Sequence, residues 1–175
     1  IKAAKKGDAA ILKDLIKILS LEKIKVISST YFNPELSLKR GNYSKFRPNK
    51  YDLIDIKKGM RILQKSNSYD HVQAVIVKNN IVFTESYKGT KKLIQSIKKT
   101  KIKSGILIKF PKKKQDLKAD LPTIGLDTFK DCKKVGLKGV VLKNKQNIFL
   151  DKKACINFAN KNKMFIAVKW KRYLY

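Results

Sequence analysis

Acidic side chains are scarce in this 175-residue chain: 13 Asp and Glu stand against 42 Lys and Arg, for a formal net charge of +29. Cysteine occurs only at Cys132 and Cys155, with no CxxC pair and no framework of spacings, so a disulfide-built secreted fold or a zinc site has no support. Each cysteine sits in a helix-like pattern, as reduced, partly buried thiols of a cytoplasmic protein would. Long apolar runs are missing too. Stretches such as Gly105-Ile-Leu-Ile108 fall far short of the ~20 residues that cross a bilayer. The opening Ile1-Lys-Ala-Ala-Lys-Lys has no apolar core behind its basic residues, so no secretory leader is expected, and the missing initial Met points to residues upstream. The one histidine, His71, stands beside Asp70. Adjacent side chains rarely aim at one point, so a turn-end histidine fits better than an acid–base dyad.

Arginine is rare as well, limited to Arg40, Arg47, Arg61 and Arg172. Arg supplies most bidentate contacts to phosphate and guanine, so its scarcity argues against the nucleic-acid role that a pI of about 10.1 would otherwise suggest. The lysines are spread along the whole chain. Their company of Ile and Asn is what a biased nucleotide composition produces at solvated positions. A basic face meeting an anionic membrane or a lipid phosphate suits this charge at least as well.

What is present is an ordinary globular composition, 43% hydrophobic, in a length that suits a single compact domain. Ile11, Leu12, Leu15, Ile16 and Leu19 recur with a helical period behind Asp8, a candidate cap. A short strand is expected at Lys25 to Ser28, then a loop with Pro34, Gly41 and Pro48. A second helix carries Leu53, Ile56, Met60 and Leu63. Gln73 to Val77 and Ile81 to Thr84 read as a β-hairpin around Asn79-Asn80, since Asn tolerates positive φ. Further helices are expected from Gly89-Thr90, over Leu126 to Val135 and after the candidate cap Asp151. Strands are expected at Ile106 to Lys109, at Gly139 to Leu142 and Asn147 to Leu150 flanking a turn, and at Phe165 to Val168. Strands separated by helices predict an α/β fold with a mixed or parallel sheet flanked by helices. Trp170 and the tail Tyr173-Leu-Tyr175 are expected to pack on their own domain rather than anchor a membrane.

The segment from Lys109 to Gly125 joins a strand to a helix, where ligands of α/β sheets bind. It combines Lys109, Lys112 and Lys118 with Asp116 and Asp120, plus Gln115 and Thr123. Cleaving a phosphoanhydride needs cations against phosphate oxygens, and carboxylates that hold Mg²⁺ or orient water. A solvated loop of a lysine-rich protein would have the same composition.

Lys112-x-x-Gln115-Asp116-x-Lys118-x-Asp120-Leu-Pro-Thr-Ile-Gly125 resembles K-P-x-Q-D-x-R-x-D-x-P-T-[IV]-G, the signature of bacterial UDP-2,3-diacylglucosamine pyrophosphatases of the LpxI type. Other elements follow in the family's order. Gly7-Asp8 is similar to the start of its carboxy-terminal domain, Asp55-Ile56 lies in the second helix, and Gln73-Ala-Val resembles a G-Q-A-V strand. Gly89-Thr90 resembles an E-G-T-D turn with Glu85 at the place of another acid; Gly136-Leu-Lys-Gly139 and Leu150-Asp151 match A-G-x-x-G and L-x-D elements. The resemblance spans residues 1–175 as that family's carboxy-terminal domain, with its amino-terminal half outside this numbering.

The resemblance implies Mg²⁺-dependent hydrolysis of UDP-2,3-diacylglucosamine to UMP and 2,3-diacylglucosamine 1-phosphate, a step toward lipid A. It implies Asp120 as the catalytic residue, holding the metal or positioning water; Asp116 is a second candidate metal ligand, with a loop-stabilising side chain as the alternative, and Glu85 is a third. The substrate-binding candidates are Lys112, Gln115, Lys118, Thr123, Gly89 and Thr90. The partner would be a nucleotide-sugar glycolipid, met in the cytoplasm or at the inner-membrane surface; nothing sets an oligomeric state. The chain also departs from the pattern. E-G-T-D is Lys88-Gly-Thr-Lys91 here, Val72 replaces a Gly, Lys113 a Pro and Lys118 an Arg, which loses a bidentate fork. These changes keep two alternatives in view, a non-catalytic domain that binds a nucleotide-sugar or phosphorylated lipid, and a basic nucleic-acid-binding protein.

Overall fold

The structure, a computed structural model, describes residues 8–65, 72–112 and 115–169. Gly7, the Asp70–His71 pair, Lys113, Trp170 and the tyrosines of the tail lie outside the described residues. Helix α1 (Asp8–Leu21) is followed by irregular chain, a short helix α2 (Ser29–Phe32) and a two-residue strand β1 (Gly41–Asn42). Then come α3 (Lys50–Lys65), β2 (Ala74–Lys78), β3 (Ile81–Thr84), α4 (Gly89–Gln95) and β4 (Ile106–Lys109). The chain closes with β5 (Thr123–Ile124), α5 (Leu126–Lys134), β6 (Gly139–Lys143), β7 (Ile148–Phe149), α6 (Lys152–Lys161) and β8 (Phe165–Lys169).

Six strands form one mixed sheet in the order β1-β8-β6-β4-β2-β3. Strands β4, β6 and β8 are parallel neighbours, while β2 runs antiparallel to both β3 and β4. The hairpin turns at Asn79 and Asn80, with φ of 49° and 64°, the left-handed values that Asn accepts most readily among residues with a side chain. Alternation along the strands divides the core in two. Ala74, Ile76, Leu107, Val140, Leu142 and Ile166 face α4, α5 and α6, while Val75, Val77, Ile106, Ile108, Val141 and Ala167 face α3.

Helix α3 enters through a reciprocal cap. Asn49 N–H donates to Asp52 Oδ2 at 3.0 Å, Asp52 N–H donates to Asn49 Oδ1 at 2.9 Å, and Lys138 Nζ reaches both oxygens of the buried Asp52. Its inward face is Asp52, Ile56, Gly59 and Met60, whereas the expected core residue Leu53 is 45% exposed. Three other expectations change. Residues 25–28 are irregular, having no strand to pair with. Strand β7 pairs in parallel with β5 rather than folding back on β6. Asp151 sits before α6 at φ 50° without a side-chain cap bond.

Candidate functional site

The carboxyl ends of β3, β4, β6 and β8 lie along one edge of the sheet, because β3 and β4 both run antiparallel to β2. Glu85, the turn into α4 and the loop after β4 therefore share that edge. Among them, Glu85, Lys109 and Asn147 are the polar residues that the fold buries here, at 2%, 8% and 2% exposure.

Glu85 is fully engaged. Its Oε2 accepts the N–H groups of Gln73 and Ala74 at 2.8 and 3.0 Å, and its Oε1 accepts the Thr90 hydroxyl at 2.6 Å. The carboxylate thus ties the start of β2 to α4. Lys109 Nζ donates to the Thr123 carbonyl at 3.0 Å, and burial pushes its pKa down while the Glu85 charge pulls it partly back up. Asn147 completes the staple: its Nδ2 donates to the carbonyls of Lys109 at 3.1 Å and Pro122 at 3.4 Å, while its Oδ1 accepts Lys143 N–H at 2.9 Å. The Leu121–Thr123 segment is thereby fastened to the end of β4 by one buried cation and one buried amide.

The rest of the loop is wound on itself. Asp116 Oδ1 accepts Lys118 N–H at 2.8 Å, and Asp120 N–H donates to the Asp116 carbonyl at 2.9 Å. Gln115 Oε1 accepts Lys112 N–H at 2.8 Å. Among the described residues no hydrogen bond or ion pair engages the half-buried Asp120 carboxylate. Lys118 and Thr123 are exposed, and Lys112 is half-buried. A cavity of about 380 Å³ opens beside this loop, lined by residues that include Phe110, Lys112, Gln115, Leu117, Lys143 and Gln146.

Residues 39–167, well over half of the chain, match the LpxI C-terminal domain. The chain belongs to that family. It is also 27% identical to the UDP-2,3-diacylglucosamine pyrophosphatase LpxI of Caulobacter vibrioides, over 95% of this chain. The chain spans 62% of the length of that curated relative.

Gln115, Asp116, Lys118, Asp120 and Thr123 share the loop after β4. Gly89 and Thr90 open α4 at the same sheet edge, joined to it through Glu85. Among the described residues no group of three or more Asp, Glu, His or Cys is arranged to hold a metal ion. The trio of Asp116, Asp120 and Glu85 anticipated as Mg²⁺ ligands is therefore not gathered, and Glu85 has a different job, holding backbone and Thr90. Sequence reasoning overlooked Asn147, and it read Lys109 as one more loop cation. A lone Asn after a strand carries no local signal; its importance arises from the parallel pairing of β5 with β7. Lys88 and Lys91, at the places of the family's two acids, are exposed at the start of α4. Among the described residues no helix is long and apolar enough to cross a membrane.

Proposed function

We propose that this domain carries the phosphoanhydride-cleaving site of a UDP-2,3-diacylglucosamine pyrophosphatase, releasing UMP and 2,3-diacylglucosamine 1-phosphate. The observation that carries the reading is the Asp120 carboxylate. It is unengaged among the described residues, it lies on a loop stapled to the end of β4, and Lys112 and Lys118 precede it on the same loop. In this reading water attacks the phosphorus on the uridine side, the bond to the bridging oxygen breaks, and the sugar 1-phosphate leaves. Asp120 holds the water or the metal; Lys112 and Lys118 neutralise phosphate oxygens; the Thr90 hydroxyl is fixed by Glu85.

Mg²⁺ suits this donor set only as an ion shared with substrate. Such ions are commonly held by one or two carboxylates plus the substrate's phosphates, and here Asp120 and Asp116 would be the two. When bound, the ion would add positive charge against the diphosphate. The acyl chains of such a substrate would bring the domain to the cytoplasmic face of the inner membrane, where its lysines meet anionic lipid.

The test is release of UMP by the full chain with Mg²⁺ present. Asp120→Ala should lower turnover about a hundredfold, the scale of one lost electrostatic contact to the transition state. Circular dichroism checks the fold. Retention of more than about a third of the wild-type rate would remove Asp120 from the chemistry, since that loss is below ~1.4 kcal/mol. A second reading, a domain that binds the nucleotide-sugar without cleaving it, is favoured by Lys88 and Lys91. If wild type is silent, Lys88→Glu with Lys91→Asp decides. Recovered turnover shows that the lysines disabled the site, and continued silence leaves the binding domain.

A further inference from the structure

The chain from Ala10 to Ser37 adds nothing to the core: none of its residues is buried. It is nevertheless rich in apolar side chains. Ile11, Leu15, Ile18 and Leu21 of α1 and the Tyr31–Phe32 pair of α2 stand between 44% and 74% exposed. Helical spacing gathers Ile11, Leu12, Leu15, Ile16 and Leu19 on one face of α1, with Lys13, Asp14, Lys17 and Ser20 on the other. A helix of 14 residues is marginal alone in water, since most helical stability comes from packing an amphipathic face. This face therefore calls for a partner. At its far end the segment is fastened to the domain. Lys145 N–H donates to the Leu38 carbonyl at 2.9 Å, Arg40 N–H donates to Asn144 Oδ1 at 2.8 Å, and Gly41 pairs with Val168 near the end of β8. Asn144 and Lys145 directly follow β6, so the root of the segment lies at the carboxyl edge of the sheet, where the candidate site is.

We infer that residues 10–37 form a docking arm that lays its apolar face on a bilayer of anionic lipids. A helix with one apolar face and one charged face, followed by exposed aromatic rings, is the pattern of helices that lie in the plane of a membrane interface. Charge selects the partner. From Ala10 to Arg40 six basic residues stand against three acidic ones, on a chain of net charge +29. A second copy would bring like charge to the contact, whereas an anionic surface attracts it. The root of the arm gives the docking a direction. A substrate whose acyl chains sit in a bilayer reaches the site edge when the arm lies on that same bilayer. The assignment rests on the pyrophosphatase reading for this choice of a bilayer over another apolar partner.

The experiment is flotation of the full chain with vesicles, without substrate or Mg²⁺. One set holds phosphatidylglycerol and phosphatidylcholine in equal parts, the other phosphatidylcholine alone. Wild type should bind the mixed vesicles about tenfold more tightly or better, as a few lysines at an anionic surface allow. Leu15→Asp with Ile18→Asp should weaken that binding about tenfold or more. Neither side chain is buried, so the Tm of the domain should stay where it is. Tyr31→Ser with Phe32→Ser, away from the helix, should weaken binding about threefold or more. No binding, equal binding to the two compositions, or a double aspartate variant that binds like wild type would overturn the assignment. A lowered Tm in that variant would also overturn it, by placing the face inside protein. So would a lipid-free dimer that the variant dissociates, which would make a second copy the occupant. The two readings fail separately. Turnover of detergent-dispersed substrate by a chain that ignores vesicles would leave the pyrophosphatase and remove the arm; arm-dependent vesicle binding by a chain that cleaves nothing would do the reverse.

Discussion

Lys109 and Glu85 show at the scale of single residues how the site edge is held. Burial lowers the pKa of Lys109 from its ordinary 10.5, so between the folded value and 10.5 the unfolded chain binds more protons than the native one. Stability from this group therefore rises as pH climbs through that window, and below it the charged, buried ammonium works against folding. Urea titrations of wild type and Lys109→Met across alkaline pH should show their difference moving in favour of wild type toward pH 10.5. A difference that is flat, or that moves the other way, would place the ammonium in solvent. Glu85 is the acceptor for Gln73, Ala74 and Thr90 at once. Glu85→Ala strands two backbone donors and leaves Lys109 without its nearby charge, so it should cost on the order of 3 kcal/mol. Glu85→Gln keeps one oxygen for the two N–H groups and should cost clearly less. Equal losses in the two variants would mean that charge, not hydrogen bonding, is what Glu85 contributes.

At the scale of elements, the passage from α5 into β6 depends on two glycines. Gly136 takes φ +81° with the Thr100 carbonyl 2.6 Å from where a Cβ would lie, and a Cβ on Gly139 would sit 2.4–2.5 Å from three atoms of the Phe165 ring. Gly139 is in a strand, where alanine brings no helix-propensity gain to offset the clash. Gly139→Ala should therefore destabilise by about 1–3 kcal/mol, seen as a lower urea midpoint with unchanged slope. A neutral result would mean that β6 and β8 separate easily. These contacts give a physical reason for the Gly136-x-x-Gly139 spacing noticed in the sequence. Legibility followed locality. The hairpin, β4, α5 and β8 could be read because period, turn residues and glycine stops all act within a few positions. The pairing of β7 with β5 could not, since it is fixed by Ile148 N–H meeting the Pro122 carbonyl across the fold. In the candidate site the loop's motif was legible residue by residue. The work of Lys109, Asn147 and Glu85 was not, because burial of a polar side chain is set by neighbours distant in sequence. Leu53 failed for a related reason: the buried face of helix α3 is rotated toward Asp52 and Gly59, which leaves Leu53 outside it.

The whole molecule carries +29 over 175 residues, and the ion pairs among its described residues do little to offset it. Lys130–Asp127 and Lys134–Asp131 are local i,i+3 contacts on α5, and Lys138–Asp52 is the one that links distant parts of the chain. Exposed pairs of the first kind are worth ~0–1 kcal/mol each, so screening them loses little. The lysines spread along the chain repel one another, and that repulsion is what added salt removes, as the Debye length shrinks from ~30 Å at 0.01 M to ~8 Å at 0.15 M. Compact, highly charged proteins are destabilised by self-repulsion, which the unfolded chain relieves by expanding. Stability should therefore increase with sodium chloride over that range, opposite to a protein held by surface ion pairs. For a domain of this size each kcal/mol gained moves Tm by roughly 2–4 °C, so a calorimetric series should show Tm climbing by at least that amount. Neutral sucrose at matched osmolality separates charge screening from general exclusion. A Tm that stays level or falls with salt would mean that the lysines are matched by attractive contacts, and that the charge is part of the fold rather than a surface load upon it.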